Sequence, residues 1–114
     1  MIVLDYRDRR PLYEQVAERL QEMMFNGVLP QVTQPPYVRS LATDLSINPN
    51  TIQRAYGELE RQGYIYSVKG KGSFVADSSR MRAGKLKEWK GRFTASVEEG
   101  MKIGVTAEDM TGLM

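Results

Sequence analysis

The apolar residues change period at Gly63, and that change constrains the fold more than any other feature of the chain. Upstream, Ile52, Ala55, Tyr56 and Leu59 recur at helical spacing, so one face of a helix turns inward. Downstream, Tyr64-Ile65-Tyr66-Ser67-Val68 and Ser73-Phe74-Val75-Ala76 are β-rich runs on either side of Lys69-Gly70-Lys71-Gly72. That pattern predicts a β-hairpin with a basic, glycine-bearing tip. Asn48 reads as the N-cap of the preceding helix and Pro49 as its first residue, with an end near Gln62.

The residues before Asn48 add two more helices. Pro11 is expected at the first helical position, where a missing N–H costs nothing. Leu12, Val16, Leu20, Met23 and Met24 then form an apolar stripe, with Glu14, Gln15, Glu18, Arg19 and Glu22 on the other faces. The methionines are read as core filler, and Asn26-Gly27 as the stop. Pro30, Pro35 and Pro36 oppose helix between Leu29 and Tyr37. A shorter helix is expected over about 38–45, with Val38, Leu41, Ala42 and Leu45 on one side, before a tight break at Ser46-Ile47-Asn48. At the start of the chain, Ile2 to Leu4 is expected to be an edge strand or a packed arm.

After Asp77-Ser78-Ser79 a fourth helix is expected over about 80–101, weakened by Gly84 and Gly91. A last segment opens at Thr106, with Glu108 and Asp109 in its first turn. The pattern is still helical at Met114, so this tail is expected to be shorter than in longer relatives. The fold expected is mainly α with a small β-hairpin: a winged helix-turn-helix over 1–76 and a short helical segment over 77–114, for which a resemblance given below implies dimerisation.

Composition narrows the chemistry. The 114 residues contain no cysteine and no histidine. This removes disulfides, thiolate ligands, the commonest metal ligand and the commonest general base. These absences weigh against an enzyme, with carboxylate or lysine chemistry left open, and no metal or cofactor is expected. No apolar run approaches the roughly 20 residues that span a bilayer, and Met1 to Asp5 lacks the pattern of a signal peptide. The expectation is a cytoplasmic protein with no membrane contact. The net charge is only +2, so placement of charge, not its sum, has to carry any argument about nucleic acid.

That placement is informative. Two helices joined by a tight turn form a helix-turn-helix, whose second helix fits the major groove. Asn50, Gln53 and Arg54 on its first turns are able to pair with base edges, the amides with adenine and the guanidinium with guanine. Thr51 suits a phosphate or a thymine methyl. Arg39, at the start of the shorter helix, reaches for backbone or guanine. Lys69 and Lys71 ride on the hairpin, where Gly70 and Gly72 allow close approach to DNA. Each has a plainer role: Asn48 a cap, Arg54 a solvated side chain, the lysines a guard on a sheet edge. Their order and spacing on one face raise the joint signal.

Residues 4–76 resemble the DNA-binding domain of the GntR family of bacterial regulators, and the short YtrA-like subfamily in particular. The resemblance rests on Pro11-Leu12-Tyr13-Glu14-Gln15-Val16, Val38-Arg39-Ser40-Leu41-Ala42, Asn48-Pro49-Asn50-Thr51-Ile52-Gln53-Arg54-Ala55-Tyr56, Leu59-Glu60-Arg61-Gln62-Gly63-Tyr64-Ile65 and Gly70-Lys71-Gly72-Ser73-Phe74-Val75. It implies a winged helix-turn-helix, a homodimer on a pseudo-palindromic operator, and usually repression. It also implies that Arg39, Asn50, Thr51, Gln53, Gly70 and Gly72 face double-stranded DNA. One stretch departs from the family. A Pro-Gly turn followed by Leu-Pro-Ser is replaced by Gln31-Val32-Thr33-Gln34-Pro35-Pro36-Tyr37, so the glycine is lost and a tyrosine stands where a capping serine is expected. Tyr37 still offers a hydroxyl to a phosphate.

Only 38 residues follow Ala76, too few for a separate metabolite-binding domain. Met81, Leu86, Trp89, Phe93 and Val97 are expected to form the seam between two subunits, as in the YtrA-like tail. The competing reading packs them on their own subunit. An apolar effector beside Trp89 and Phe93 is the weaker alternative to simple packing. Arg80, Arg82, Lys85, Lys87, Lys90 and Arg92 either attract DNA or form a solvated face. Two other function classes stand against a repressor. One is a winged-helix module that binds protein without reading DNA. The other is an enzyme fragment of the MocR branch, for whose aminotransferase-like domain this chain has no room.

Overall fold

The computed structural model describes residues 2–113. Met1 and Met114, the outer ends of the two expected segments, lie outside the described residues. The chain divides into two compact units, Met1–Ser79 and Arg80–Met114.

In the first unit, α1 (Leu12–Phe25), α2 (Val38–Leu45) and α3 (Pro49–Arg61) precede a hairpin of β1 (Ile65–Val68) and β2 (Gly72–Val75). Pro11 caps α1 instead of opening it: its ψ of 148° is extended, and its carbonyl accepts from the amides of Glu14 and Gln15. The α2–α3 turn is closed by Ser46 in the left-handed conformation, with Ile47 N–H donating to the carbonyl of Ala42 at 3.0 Å. Asn48 caps α3, its side-chain oxygen accepting from the Asn50 amide at 2.8 Å. Such a cap typically contributes about 1 kcal/mol.

The core joins α1, α3 and the hairpin. Val16, Leu20, Ile52, Leu59 and Val75 are its most completely buried large side chains, with Ala55, Tyr56, Leu41 and Ala42 beside them. Leu12 and Met23, expected inside with Met24, are only half-buried at the edge of the stripe. Phe25 meets Tyr64 edge-on at 5.8 Å, tying the end of α1 to the start of β1. Gln15, expected on an outer face, is buried instead. Its amide explains why: Oε1 accepts from Asp5 N–H at 3.0 Å and Nε2 donates to the Arg10 carbonyl at 3.2 Å, so it pins the segment before α1. That segment is a packed arm with Ile2 buried, and not a strand.

The hairpin is antiparallel, with Ile65 opposite Val75 and Val68 opposite Gly72. Gly70 and Gly72 have φ of 79° and 97°, which the tight return of the chain requires and L side chains resist. The connector between α1 and α2 adds a third, irregular edge. Val32 N–H donates to the Val75 carbonyl and Val75 N–H to the Thr33 carbonyl, both at 2.8 Å. Val32 reaches this position at φ 68°, the conformation a glycine turn would supply.

The second unit contains α4 (Ser79–Lys102, beginning one residue inside the first unit) and α5 (Ala107–Thr111). Gly84 and Gly91 do not interrupt α4. Thr106 and Asp109 form a capping box at the start of α5, each side chain accepting from the other's amide at 3.2 and 2.9 Å. α5 returns along the end of α4, where Phe93, Val97, Gly100, Val105, Met110 and Leu113 border an apolar groove of about 410 Å³. Gly100 has no Cβ, so Val105 closes in on the helix there. No helix among the described residues is long and apolar enough to cross a membrane.

Candidate nucleic-acid interface

The side chains singled out from the sequence as DNA-facing fall on three stretches of the first unit: the start of α2, the first turns of α3 and the hairpin turn. Ile52, Ala55, Tyr56 and Leu59 take the inner face of α3, which leaves Asn50, Gln53 and Arg54 exposed and Thr51 half-buried. Asn48 is exposed but committed to its cap. Arg39 is exposed on the first turn of α2. Tyr37 precedes it, 74% exposed, in the N-cap position without a side-chain cap bond. The tyrosine therefore does not replace the capping function of a serine. Lys69, Gly70, Lys71 and Gly72 are all exposed at the hairpin turn.

Two concavities gather most of these residues. One, of about 210 Å³, is bordered by Tyr37, Val38, Tyr56, Lys71, Gly72 and the connector residue Gln34. Gln34 Nε2 donates to the Lys71 carbonyl at 3.0 Å and so fastens the connector to the hairpin tip. Tyr56 donates its hydroxyl to the Pro36 carbonyl at 2.6 Å, fixing the entry to α2 against α3, and burial pushes that hydroxyl up to about 12. The other concavity, of about 440 Å³, is bordered by Pro11, Leu12, Tyr13, Asn50, Thr51 and Arg54. Arg39, Asn48, Gln53, Lys69 and Gly70 border neither.

The first unit holds nine basic and nine acidic residues, so it has no net charge. Pairing sorts them. Arg10 joins Asp8 and Glu18, Arg19 joins Glu22, and Arg61 joins Glu58, all away from the hairpin tip. The Arg61 guanidinium and the Gln62 amide hold the Glu58 carboxyl down at about 2. Arg39, Arg54, Lys69 and Lys71 form no ion pair among the described residues, nor do Arg7 and Arg9 of the arm, so four of the six unpaired cations of the first unit stand on α2, α3 and the hairpin turn.

Arg54 is the one side chain whose placement differs in kind from the expectation. Its guanidinium carbon lies over the ring of Tyr13 at 4.0 Å from the centroid. It is drawn toward α1 rather than pointing straight out from α3. Tyr13 and Gln34 were not among the expected site residues. Neither follows a periodic rule, and each acts through a contact made across more than 35 residues of chain.

In the second unit, Trp89 and Phe93 stack at 5.5 Å and are 52% and 54% exposed, with Leu86 exposed beside them and Val97 half-buried. Met81 precedes Leu86 by five residues, which turns it roughly 140° away from that row on a helix of 3.6 residues per turn. The aromatic pair of the expected seam is thus open to solvent in the single chain.

Comparison with known proteins follows the same lines. Residues 12–75 match the family described as bacterial regulatory proteins, gntR family. The chain is 32% identical over 112 residues to the HTH-type transcriptional repressor YtrA of Bacillus subtilis, covering 96% of this chain and 86% of that one. A GntR family transcriptional regulator from Listeria monocytogenes has a solved structure that is 32% identical, with a TM-score of 0.71 and 96% of each chain covered. The DNA-binding domain of AraR, solved in complex with operator ORE1, is 32% identical with a TM-score of 0.56, over 67% of this chain and 93% of that one.

Proposed function

The chain belongs to the gntR family of bacterial regulatory proteins and is a DNA-binding transcription regulator, and from that premise we propose that it is a cytoplasmic homodimeric repressor of a pseudo-palindromic operator. Residues 1–76 are the DNA-binding domain and residues 77–114 the dimerisation segment. α3 enters the major groove, where Asn50 and Gln53 read base edges and Thr51 meets the backbone. Arg39, Arg54, Lys69 and Lys71 neutralise phosphates, Tyr37 offers a hydroxyl at the start of α2, and Gly70 and Gly72 let the hairpin approach closely. Asn48 holds the first turn of α3 in shape.

The observation that carries this reading is the distribution of unpaired cations. In a unit of zero net charge, Arg39, Arg54, Lys69 and Lys71 have no ion-pair partner among the described residues, and of the five cations of α2, α3 and the hairpin tip Arg61 alone is paired there, with Glu58. The likeness to an AraR domain solved on its operator supports the same assignment. Dimerisation draws on the tail, where Leu86, Trp89, Phe93 and Val97 lie along one side of α4. A symmetric operator needs two heads at a fixed separation.

Selection of bound duplexes from a random library tests the proposal, followed by titration of the winning site against salt. The expected winner has two-fold symmetry. With roughly 6–10 phosphate contacts, its affinity falls by about 10³–10⁵ between 50 and 200 mM salt. Absence of any enriched sequence would overturn the operator and leave a winged-helix module that binds protein.

A further inference from the structure

We infer that Tyr13 is a positioning residue for DNA binding: it holds the Arg54 guanidinium at the side of α3, where it grips a phosphate at the groove wall instead of a base at the groove floor. The inference rests on the assignment of α3 to the major groove and refines the role of one of its side chains.

The geometry has three parts. The two backbones are fixed relative to each other, because Val16 and Leu20 of α1 and Ile52, Ala55 and Leu59 of α3 are all buried. Tyr13 stands on the first turn of α1, just ahead of Val16. Arg54 stands between Ile52 and Ala55. Only the rotamers of the long arginine remain to be set, and the ring sets them, with 4.0 Å between guanidinium carbon and centroid. This contact uses the π face and leaves the N–H donors unused. Among the described residues Arg54 forms no hydrogen bond and no ion pair, and the Tyr13 hydroxyl is engaged only with the neighbouring Glu14 carboxylate at 3.3 Å.

The direction decides what such an arginine meets. A helix with its side chains, about 10–12 Å across, fills a major groove about 12 Å wide. Groups at the centre of its outer face meet base edges, and groups drawn to its flank meet the phosphates that line the groove. Arg54 is drawn to the flank, toward α1. It borders there a concavity shared with Asn50, Thr51 and the first turn of α1. Stacking also removes rotamer freedom before DNA arrives, so less is lost on binding. Asn50 and Gln53 are left as the base readers of the first two turns.

The test uses full-length protein and the operator selected by the wild type, with affinity read by fluorescence anisotropy over a series of salt concentrations. Tyr13→Leu keeps an apolar side chain but removes the ring. It is expected to weaken binding roughly 2–5-fold per bound head, the worth of an exposed cation–π contact. Tyr13→Phe keeps the ring and is expected to restore the affinity. Arg54→Gln is expected to make the salt slope shallower by about one per head. Its loss should be the same on operators altered at each base pair, and Tyr13→Leu should cost nothing further in the Arg54→Gln background. Tyr13→Met, apolar and unbranched but without a ring, serves if Tyr13→Leu melts below the assay temperature; the same roughly 2–5-fold loss is expected. Wild-type affinity in Tyr13→Leu or Tyr13→Met, additivity of the Tyr13→Leu and Arg54→Gln losses, or a loss that depends on one particular base pair would each overturn the inference. A wild type that selects no operator would instead remove the assignment of α3 on which it rests.

Discussion

The first unit of this chain buries its apolar side chains in its own core, and the second leaves them open. In Met1–Ser79 the stripes of α1 and α3 and the inner end of the hairpin close over Leu20, Ile52 and Leu59, each at most 1% exposed. In Arg80–Met114 the 24-residue α4 has no buried residue, and its Trp89 and Phe93 are more than half exposed. Both units carry apolar residues at helical spacing. The difference lies in what stands opposite. α1 and α3 face each other, whereas α4 has only the five residues of α5 to turn toward. An apolar row of that length without a covering element is what an association surface looks like in a single chain.

The sharpest way to break the comparison is to damage each apolar face in turn. Ile52→Ala opens a cavity in a closed core and is expected to cost about 2–5 kcal/mol. For a domain of this size that is a fall in melting temperature of more than about 10 °C. Phe93→Glu places a charge on the open row. It is expected to leave the melting of the first unit unchanged and, on the proposed dimer, to give a monomer in sedimentation, with affinity for the selected duplex lost in step. A drop in the first unit's melting temperature as large as that of Ile52→Ala would mean that the tail completes the core of the head, and the contrast would fail.

The same contrast explains how much the sequence conveyed. Elements that bury a regular face were legible, because burial enforces period. α2 and α3 lie where the spacing put them, and so does the Asn48 cap. The hairpin was visible through its change of period and its glycines. The exceptions are residues whose place depends on a partner far along the chain. Gln15 looked like one more polar residue of α1, and only the arm folding back on it explains its burial. The connector looked like a proline-rich loop, yet Val32 and Thr33 pair with Val75 through backbone groups that no side-chain pattern reports. Arg54 was read for its own reach and Tyr13 only as part of the Pro11–Val16 run, since nothing in either helix says that the two will stack.

Tyr56 offers a milder test within the head. Its hydroxyl bonds the Pro36 carbonyl, and burial raises it to about 12. The neutral form is thus favoured in the fold. Its contribution is fully present below the unfolded value near 10 and is lost as pH rises through about 12. Tyr56→Phe is expected to cost about 1 kcal/mol at neutral pH, the usual worth of one such bond. It should also flatten part of the alkaline fall in stability. Tyr64 is raised by burial too, so the test is the difference between wild type and Tyr56→Phe in chemical denaturation from pH 8 to 12. Parallel curves would show that the head tolerates an ionised Tyr56 and that its core is looser than the contrast requires.

The smallest expected effect concerns Val32, which with Ser46 is one of two non-glycine residues of the head at positive φ. Val32 is a β-branched residue at φ 68°, a conformation that costs an L residue roughly 1–2 kcal/mol. The two backbone bonds to Val75 repay that strain by holding the connector on the hairpin. The side chain itself contributes little, being 67% exposed. Val32→Gly removes the strain and keeps both bonds, while the freer unfolded chain takes back about 0.5–1 kcal/mol. The net expectation is a gain from a few tenths up to about 1 kcal/mol, seen as a rise of a few degrees in melting temperature. Val32→Pro, whose ring forbids this φ and removes the donated N–H, should lower it instead. A gain from glycine would locate the strain in the turn and make the hairpin's attachment stronger than the native sequence allows. No gain would mean that the connector relaxes away from φ 68° in solution, and the hairpin would then lean on the Gln34 clasp alone.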